Sequence, residues 1–444
     1  MLNFQISDAQ LKLQKKARKF ALKEVLPQAW SADEDNTLPL HVLEKAFQEG
    51  LFNTNIPKKY GGKEYGSVEG TIITEEIAAA CPGIATSLFD NSLGMEPILL
   101  SDNTAAKEKY LKQMADEFKL ICFATSEATM GSDVASIRCQ AKKDGDDYIL
   151  NGTKFWITNA GVADFMTVFA TVDPKSSHQG ICAFVVEKKY KGVRTGMPIP
   201  KMGQRSSNTA ALAFENVRVP KENVLAEPGK GFALAMQTFS RTRPSIGAFA
   251  VGAARSAMEH AIWYAKHRKA FNARLADFQA LQFKIAEMYQ KVEISRLLVR
   301  KAAWESDQNQ DPTISASIAK MYATEAAWEV VDEALQIFGG YGYTQMFPIE
   351  KLLRDIRLYR IYEGTSEVQR IILAGHALGS YTPVMPPVDE IPVTRDSAAL
   401  KKGEKVWRCG MCGHIHYGNT PPDSCPVCLF SGKIFKEAKT HIKK

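Results

Sequence analysis

The spacing of hydrophobic residues changes twice along the chain. Near the N-terminus Leu13, Ala17 and Phe20 recur at helical spacing, and Ser7 with Gln10 has the pattern of a capping box. From about residue 120 short β-type runs follow, such as "FMTVFATV" and "ICAFVVEK". From about residue 232 the helical period returns. This order predicts a multidomain α+β protein.

We place domain boundaries where the period or the composition changes. The predicted regions are an N-terminal helical domain (1–119), a middle β domain (120–231), a C-terminal helical bundle (232–380), a proline-rich linker (381–403) and a small cysteine module (404–444). We expect the β domain to be a barrel or sandwich, the bundle to have four helices, and the tail to be a metal ribbon.

Local signals add detail to these regions. Pro27 is expected to end the first helix, and Asn151-Gly152, between two β-rich runs, predicts a hairpin turn. In the C-terminal bundle an apolar stripe includes Ala250, Ala257 and Tyr264, which predicts closely packed core helices.

Composition and charge exclude several classes of protein. The chain has 444 residues, of which 45% are hydrophobic and 24% charged, as is ordinary for a globular protein. A net charge of +7 is mild for this length and gives no indication of nucleic acid binding. No run approaches 18 apolar residues, so no transmembrane segment is expected, and the polar N-terminus predicts a cytoplasmic protein.

Four of the eight cysteines are concentrated near the C-terminus. Cys409 and Cys412 form one Cys-x-x-Cys knuckle, and Cys425 and Cys428 form a second. Two such knuckles place four sulfurs in a tetrahedron, the geometry of zinc or of a single iron. The other four cysteines are scattered, and we expect buried thiols there.

Five stretches in order resemble the acyl-CoA dehydrogenases. They are "TSEATMGSDVAS" (125–136), "KFWITNAG" (154–161), "RKAFNARLADFQALQ" (268–282), "QIFGGYGY" (336–343) and "RIYEGTSEVQRIIL" (360–373). The resemblance covers roughly residues 5 to 380. It implies the FAD-dependent α,β-dehydrogenation of an acyl-CoA to its trans-2-enoyl-CoA.

The resemblance also implies which residues carry the reaction. Glu363 in "YEGT" matches the catalytic base, and a carboxylate in a dry site becomes more basic, as that role requires. Some members place their base at the position of Thr242, which cannot serve. Arg243 matches an arginine near the active site, although an ion-pairing role fits it equally well.

Substrate contacts are implied at four positions. Ser132 would contact the substrate or its CoA end, and Tyr362 and Arg243 would lie near the acyl group. Phe89 stands where some medium-chain members have a smaller or polar residue, which indicates a shorter acyl pocket. The same helix lacks an arginine, so a dicarboxylyl substrate is disfavoured.

FAD contacts are implied by the same matching. Ser126, Trp156 and Thr158 would contact the flavin ring, and Phe123 stands where a tyrosine is common. The phosphates and adenine would be bound with help from a neighbouring subunit, which implies a homo-oligomer, commonly a tetramer. The remaining matched positions are Arg268, Phe271, Gln279, Gln336, Gly340, Thr365 and Glu367.

The tail resembles the rubredoxin-like module of rubrerythrins. Trp407, Tyr417-Gly418 and the Cys-Pro-x-Cys of the second knuckle carry this resemblance, which favours one iron. Electrons would then pass from the flavin through this iron to an electron-transfer flavoprotein or another acceptor. The alternative left open is a zinc ribbon that stabilises the tail or docks a partner.

Overall fold

The predicted capping box begins the first helix. Ser7 Oγ accepts a hydrogen bond from Gln10 N–H, and the Gln10 side chain accepts one from Ser7 N–H. The computed structural model describes residues 5–381, 393–396, 403–438 and 440–443. It divides into two compact units, Met1–Ala374 and Gly375–Lys444. The domain boundaries drawn inside the first unit stay predictions.

Seven α-helices occur among the described residues that precede the sheet. They are α1 (Asp8–Phe20), α2 (Ala29–Glu34), α3 (Leu40–Gln48), α4 (Ser67–Ala80), α5 (Pro82–Leu100), α6 (Thr104–Ala106) and α7 (Lys112–Asp116). Pro27 does not end the helical path, because a π-helical turn (Ala21–Val25) and a 3-10 turn (Leu26–Gln28) connect α1 to α2. Proline is tolerated there because it lies in the first turn of the 3-10 segment, where its missing N–H has no helical acceptor.

Eight strands form one mixed sheet in the middle of the chain. They are β1 (Ile121–Ala124), β2 (Gln140–Asp144), β3 (Asp147–Thr158), β4 (Phe165–Thr171), β5 (Ile181–Glu187), β6 (Val193–Thr195), β7 (Thr209–Val219) and β8 (Val224–Ala226). The strand order is β6-β7-β3-β2-β4-β5-β8, with β1 pairing in parallel with β4. The path has two end strands, so the structure does not confirm a closed barrel.

The predicted hairpin at Asn151-Gly152 is wrong. Strand β3 includes both of these residues. The turn that connects β2 to β3 is formed by Gly145 and Asp146, between the paired residues Asp144 and Asp147. Gly152 instead lies at a shift in the β3–β7 register with φ of 145°. A Cβ there would lie 2.8 Å from Cys139 Cα, so the glycine permits a bulge and not a turn.

Helices of 8 to 37 residues follow the sheet. They are α8 (Gly231–His267), α9 (Gln279–Asp307), α10 (Thr313–Phe338), α11 (Ile349–Ile356) and α12 (Ser366–Ser380). A short hairpin, β9 (Lys269–Ala270) and β10 (Ala273–Arg274), connects α8 to α9. Helix α8 packs against α4, α9 and α10, and its predicted stripe from Ala250 to Tyr264 is buried. Small side chains let these helices approach closely.

The second unit contains the tail. Strands β12 (Lys405–Cys409), β13 (Ile415–Gly418) and β14 (Phe435–Glu437) form an antiparallel sheet, and β11 (Val393–Asp396) pairs in parallel with β15 (Thr440–Lys443). Most of the predicted linker lies outside the described residues. Across the described regions of the chain, no helix has both the length and the apolarity needed to cross a membrane.

Candidate active site and metal centre

Glu363 lies in a tight turn between two helical segments. A 3-10 turn (Arg357–Arg360) precedes it and α12 follows it. Glu363 has φ of 56° and Gly364 has φ of 85°, so both are left-handed. This conformation is uncommon for a residue with a side chain and is kept only where surrounding contacts hold it.

Three side chains hold this turn by its carbonyl groups. Lys320 Nζ donates to Gly364 O at 2.7 Å, and Gln369 Nε2 donates to the same oxygen at 2.9 Å. Arg243 Nε donates to Glu363 O at 3.2 Å. Lys320 and Gln369 were missed by the sequence reasoning. The available signal for Lys320 was its place between Ala316, Ala319 and Ala323 on a buried helix face.

The Glu363 carboxylate has one bonded and one free oxygen. Oε2 accepts a hydrogen bond of 3.2 Å from Thr242 Oγ1, whereas Oε1 is buried and has no partner among the described residues. Burial raises the pKa of Glu363 to about 7, although the charge of Arg243, the Thr242 hydroxyl and the charge of Lys320 act in the opposite direction. A carboxyl group with this pKa can accept or deliver a proton near neutral pH.

The wall beside Glu363 is aromatic. Phe89 meets Phe249 edge to face at 5.3 Å between ring centroids, and Tyr359 stacks on the same Phe249 at 5.8 Å. Tyr362 Oη is buried, with the side chains of Thr86 and Gln204 near it. Of the predicted substrate residues, Tyr362 and Arg243 therefore lie at Glu363, Phe89 is in the aromatic wall, and Ser132 is on an exposed loop.

The residues predicted to contact the flavin ring lie at the end of β1 and along β3. Phe155 N–H donates to Ser126 O at 2.9 Å, which ties the loop after β1 to β3. Trp156 is 58% exposed with φ of 64°, and Thr158 is partly exposed. Phe123 differs from these: it is buried against Phe239, with ring centroids 5.4 Å apart, and so belongs to the core.

A second group of predicted cofactor residues lies where α8, α9 and α10 end or begin. Arg268 caps α8 and stacks on Tyr341, while Phe271 is 93% exposed with φ of 51°. Gly340 has no atom within 4 Å of the place a Cβ would take. Gln279 and Gln336 are exposed, and Thr365 and Glu367 lie at the start of α12.

These two groups fit the components of FAD. An exposed tryptophan offers an apolar face to a flavin ring, and an exposed arginine beside open glycine backbone suits a pyrophosphate. No hydrogen bond or ring contact of the described residues joins the two groups. The shared site predicted from two subunits stays a prediction.

The tail brings its four cysteines together. The Sγ atoms of Cys409, Cys412, Cys425 and Cys428 all lie within 4.8 Å of one another, and none forms a disulfide. Two of the Sγ–Sγ distances are 3.6 Å. Tetrahedral thiolate ligands about 2.3 Å from one metal ion would be separated by nearly this distance. The predicted four-cysteine site is thus confirmed as a geometry, and iron and zinc fit it equally.

The two knuckles have matching backbone turns. Gly413 N–H donates to Cys409 O and Leu429 N–H donates to Cys425 O, both at 2.9 Å. Gly413 and Leu429 are left-handed, with φ of 73° and 61°. Trp407 Nε1 donates to Gly418 O at 3.0 Å and fixes the neighbouring strand pair. The turns therefore place the four sulfurs around a position that one metal ion could occupy.

Family models match the chain in four places. Three are the N-terminal, middle and C-terminal domains of acyl-CoA dehydrogenase, at residues 7–117, 122–217 and 229–378. The fourth is the rubredoxin-like domain of rubrerythrin, at residues 407–436.

Relatives and solved structures agree with these models. A 3-(aryl)acrylate reductase of Clostridium sporogenes is 42% identical over 368 residues, which is 82% of this chain and 97% of the relative. Butyryl-CoA dehydrogenase from Megasphaera elsdenii superposes with a TM-score of 0.83 at 36% identity, covering 85% of this chain and 100% of that one. A chain from the work on "Electron transferring flavoprotein of Acidaminococcus fermentans" has the same TM-score and identity, covering 86% of this chain and 100% of its own.

The helices and the sheet thus occur in the arrangement of known acyl-CoA oxidoreductases, and the four-cysteine module follows them in the chain. The chain belongs to the acyl-CoA dehydrogenase family of flavoprotein oxidoreductases and has a rubredoxin-like domain after the family's three domains.

Proposed function

We propose that this enzyme catalyses FAD-dependent α,β-dehydrogenation of an acyl-CoA to its trans-2-enoyl-CoA, with Glu363 as the catalytic base. The observation that carries the proposal is the unpartnered Oε1 of Glu363, on a buried carboxyl whose pKa is about 7. An oxygen without a hydrogen bond can take the α-proton of a thioester that lies against it.

Neighbouring groups prepare this oxygen for the reaction. Thr242 holds the other oxygen, Oε2, which orients the carboxylate. Glu363 N–H has no acceptor among the described residues, so it can donate to the thioester oxygen as negative charge develops there. Tyr362 and the wall at Phe89 exclude water from the acyl group, and a short acyl chain suits that wall.

FAD, when bound, supplies the acceptor for the hydride that leaves Cβ. We assign its ring to Ser126, Trp156 and Thr158, and its phosphates and adenosine to the exposed group around Arg268. That group would serve the cofactor of a neighbouring copy, so we propose a homo-oligomer, with four copies as the family resemblance implies. Gln336 and Gly340 belong to the same group, and Thr365 and Glu367 to the start of α12.

We propose further that the tail holds one iron, which supplies one-electron chemistry between the enzyme and an external acceptor such as an electron-transfer flavoprotein. The sulfur geometry and the match to the rubrerythrin module support it. A structural or partner-docking zinc ribbon has the same ligands and is the competing proposal.

Reduction of an enoyl-CoA is a second candidate, favoured by one observation. The Clostridium sporogenes relative, at 42% identity, is named a reductase. The same Glu363 would then deliver a proton to Cα from its protonated form, and a pKa of about 7 leaves both forms populated near neutral pH.

An anaerobic titration tests these proposals together. The purified holoenzyme is mixed with butyryl-CoA while the flavin and metal absorption bands are recorded, and metal content is measured separately. Loss of both bands supports dehydrogenation with an iron relay. Loss of the flavin band alone supports dehydrogenation with a structural tail. No change in either band with any acyl-CoA contradicts dehydrogenation, and reoxidation of the reduced enzyme by crotonyl-CoA then supports the reductive direction.

A further inference from the structure

A buried aspartate that interacts electrostatically with Glu363 has no assigned role. Asp90 is on α5, directly after Phe89 of the aromatic wall, and is 5% exposed. Its Oδ2 atom is buried and has no hydrogen-bond partner among the described residues. A buried polar atom normally has such a partner, so this one requires an explanation.

Asp90 shares its surroundings with the catalytic base. It lies close enough to Glu363, Cys122 and Tyr362 to interact with them electrostatically. Glu363 Oε1 is also buried and has no hydrogen-bond partner among the described residues. Two free carboxyl oxygens in one neighbourhood indicate a ligand that completes their hydrogen bonds.

Burial favours the protonated form of Asp90. Together with a contribution from the charge of Glu363, it raises the pKa of Asp90 well above its ordinary value. A protonated carboxyl group can both donate and accept a hydrogen bond.

We propose that Asp90 is a specificity-determining residue that hydrogen-bonds an oxygen on the acyl group beyond its β-carbon. The substrate class is an acyl-CoA with a neutral polar substituent, such as a hydroxyl group, on its chain or ring. A terminal carboxylate does not fit, because α5 contains no lysine or arginine that could pair with it. This inference rests on the proposed function.

Matched substrate pairs test the inference. In each pair a hydroxyl group replaces a methyl group of the same size: 4-hydroxybutyryl-CoA with pentanoyl-CoA, 5-hydroxypentanoyl-CoA with hexanoyl-CoA, and 3-(4-hydroxyphenyl)propanoyl-CoA with 3-(4-methylphenyl)propanoyl-CoA. The quantity measured is the ratio of kcat/KM for the hydroxyl member to that for the methyl member. The holoenzyme is compared with Asp90→Asn, which keeps a donor and an acceptor, and with Asp90→Ala, which removes both.

A second carboxylate on the same helix provides the control. Glu96 is buried as Asp90 is, but it already has a partner, since Arg241 Nη1 lies 3.3 Å from its Oε1. Glu96→Gln should leave the ratio of every pair unchanged. For at least one pair, Asp90→Ala should lower the ratio tenfold or more, and Asp90→Asn should lower it less than threefold.

Thermal stability separates this role from a structural one. Asp90→Ala removes an unpartnered buried oxygen, so its unfolding midpoint should equal or exceed that of the wild type. A lower midpoint with ratios within twofold of wild type in all three pairs would assign Asp90 to the fold and overturn the inference. Ratios within twofold at an unchanged midpoint would overturn it as well.

Binding measurements with CoA analogues that cannot react test the inference independently of the proposed reaction. S-alkyl-CoA thioethers carrying the same hydroxyl and methyl groups lack the thioester carbonyl and cannot be dehydrogenated, and calorimetry gives their Kd values. If the wild type turns over no acyl-CoA but Asp90→Ala still loses tenfold preference for the hydroxyl thioether, the proposed function fails and Asp90 keeps its role. If acyl-CoA turnover is found and neither Kd ratios nor kcat/KM ratios change, only the inference fails.

Discussion

Thr242 Oγ1 donates a hydrogen bond of 3.2 Å to Glu363 Oε2 and leaves Oε1 of the same carboxylate without a partner. In the proposed reaction the hydroxyl therefore lies on the side of the Glu363 carboxylate that does not meet the substrate. It fixes the direction of the free oxygen and at the same time stabilises the charged form.

Glu363→Gln should lower the rate of anaerobic flavin reduction by butyryl-CoA by about 10²- to 10⁴-fold, because the amide cannot accept the α-proton. Stopped-flow absorbance at the flavin band measures this rate. Glu329→Gln, an exposed glutamate on α10, is the control and should react at the wild-type rate. A Glu363→Gln enzyme within tenfold of the wild type would assign the base elsewhere.

The reductive half-reaction should depend on pH through Glu363. With a pKa of about 7, most of the base is protonated at pH 6 and most is ionised at pH 8. Dehydrogenation needs the ionised form, so kcat/KM should rise about tenfold from pH 6 to pH 8, and enoyl-CoA reduction should show the opposite slope. Thr242→Val removes a group that lowers this pKa and should move both profiles to higher pH. Profiles that do not move would contradict the role of the hydroxyl group.

Lys320→Met should slow the reaction for two reasons. It removes the 2.7 Å hydrogen bond to Gly364 O that holds the left-handed turn, and it removes a charge that lowers the pKa of Glu363. We expect a lower kcat and a pH profile displaced to higher pH, measured with butyryl-CoA. Lys301→Met, an exposed lysine on α9, should change neither. A displaced profile with unchanged kcat would show that only the charge of Lys320 matters.

Cys412→Ser should release the tail metal without affecting flavin content. It removes one of four thiolates, whereas Cys182→Ala removes a buried thiol in the sheet and should retain the metal. Elemental analysis and the flavin absorbance give both quantities for each variant. Full metal content in Cys412→Ser would mean that the four sulfurs do not form one site.

Gly432→Ala should destabilise the tail. A Cβ at this position would lie 1.7 Å from Pro422 O, so the second knuckle must shift. Gly375→Ala is the matched control in the same unit, since no atom lies within 4 Å of its Cβ position. Limited proteolysis with mass spectrometry should detect faster cleavage within residues 403–438 of Gly432→Ala alone. Equal cleavage of both variants would contradict the predicted clash.

The sequence predicted what depends on periodicity or on short spacing. The Ser7–Gln10 cap, the buried stripe of α8 and the meeting of the four cysteines needed only local geometry. The hairpin predicted at Asn151-Gly152 was wrong because the sequence does not distinguish a glycine required in a turn from a glycine required at a bulge within a strand. The sequence did not predict a role for Lys320 or Asp90, because a charged residue in a helix is normally exposed to solvent. Whether such a residue is buried depends on segments that are distant in the chain.

The parallel pairing of β11 with β15 gives the tail a property that concerns protein engineering. The strand before the module and the strand after it lie side by side, about 4.8 Å apart, as paired strands do. Because the pairing is parallel, the chain enters at Val393 and leaves at Lys443 at opposite ends of this strand pair, about 10 Å apart along the strands. The rubredoxin-like module, taken with its two bracketing strands, therefore fits into a host protein only where the two ends of the receiving loop are separated by about that distance.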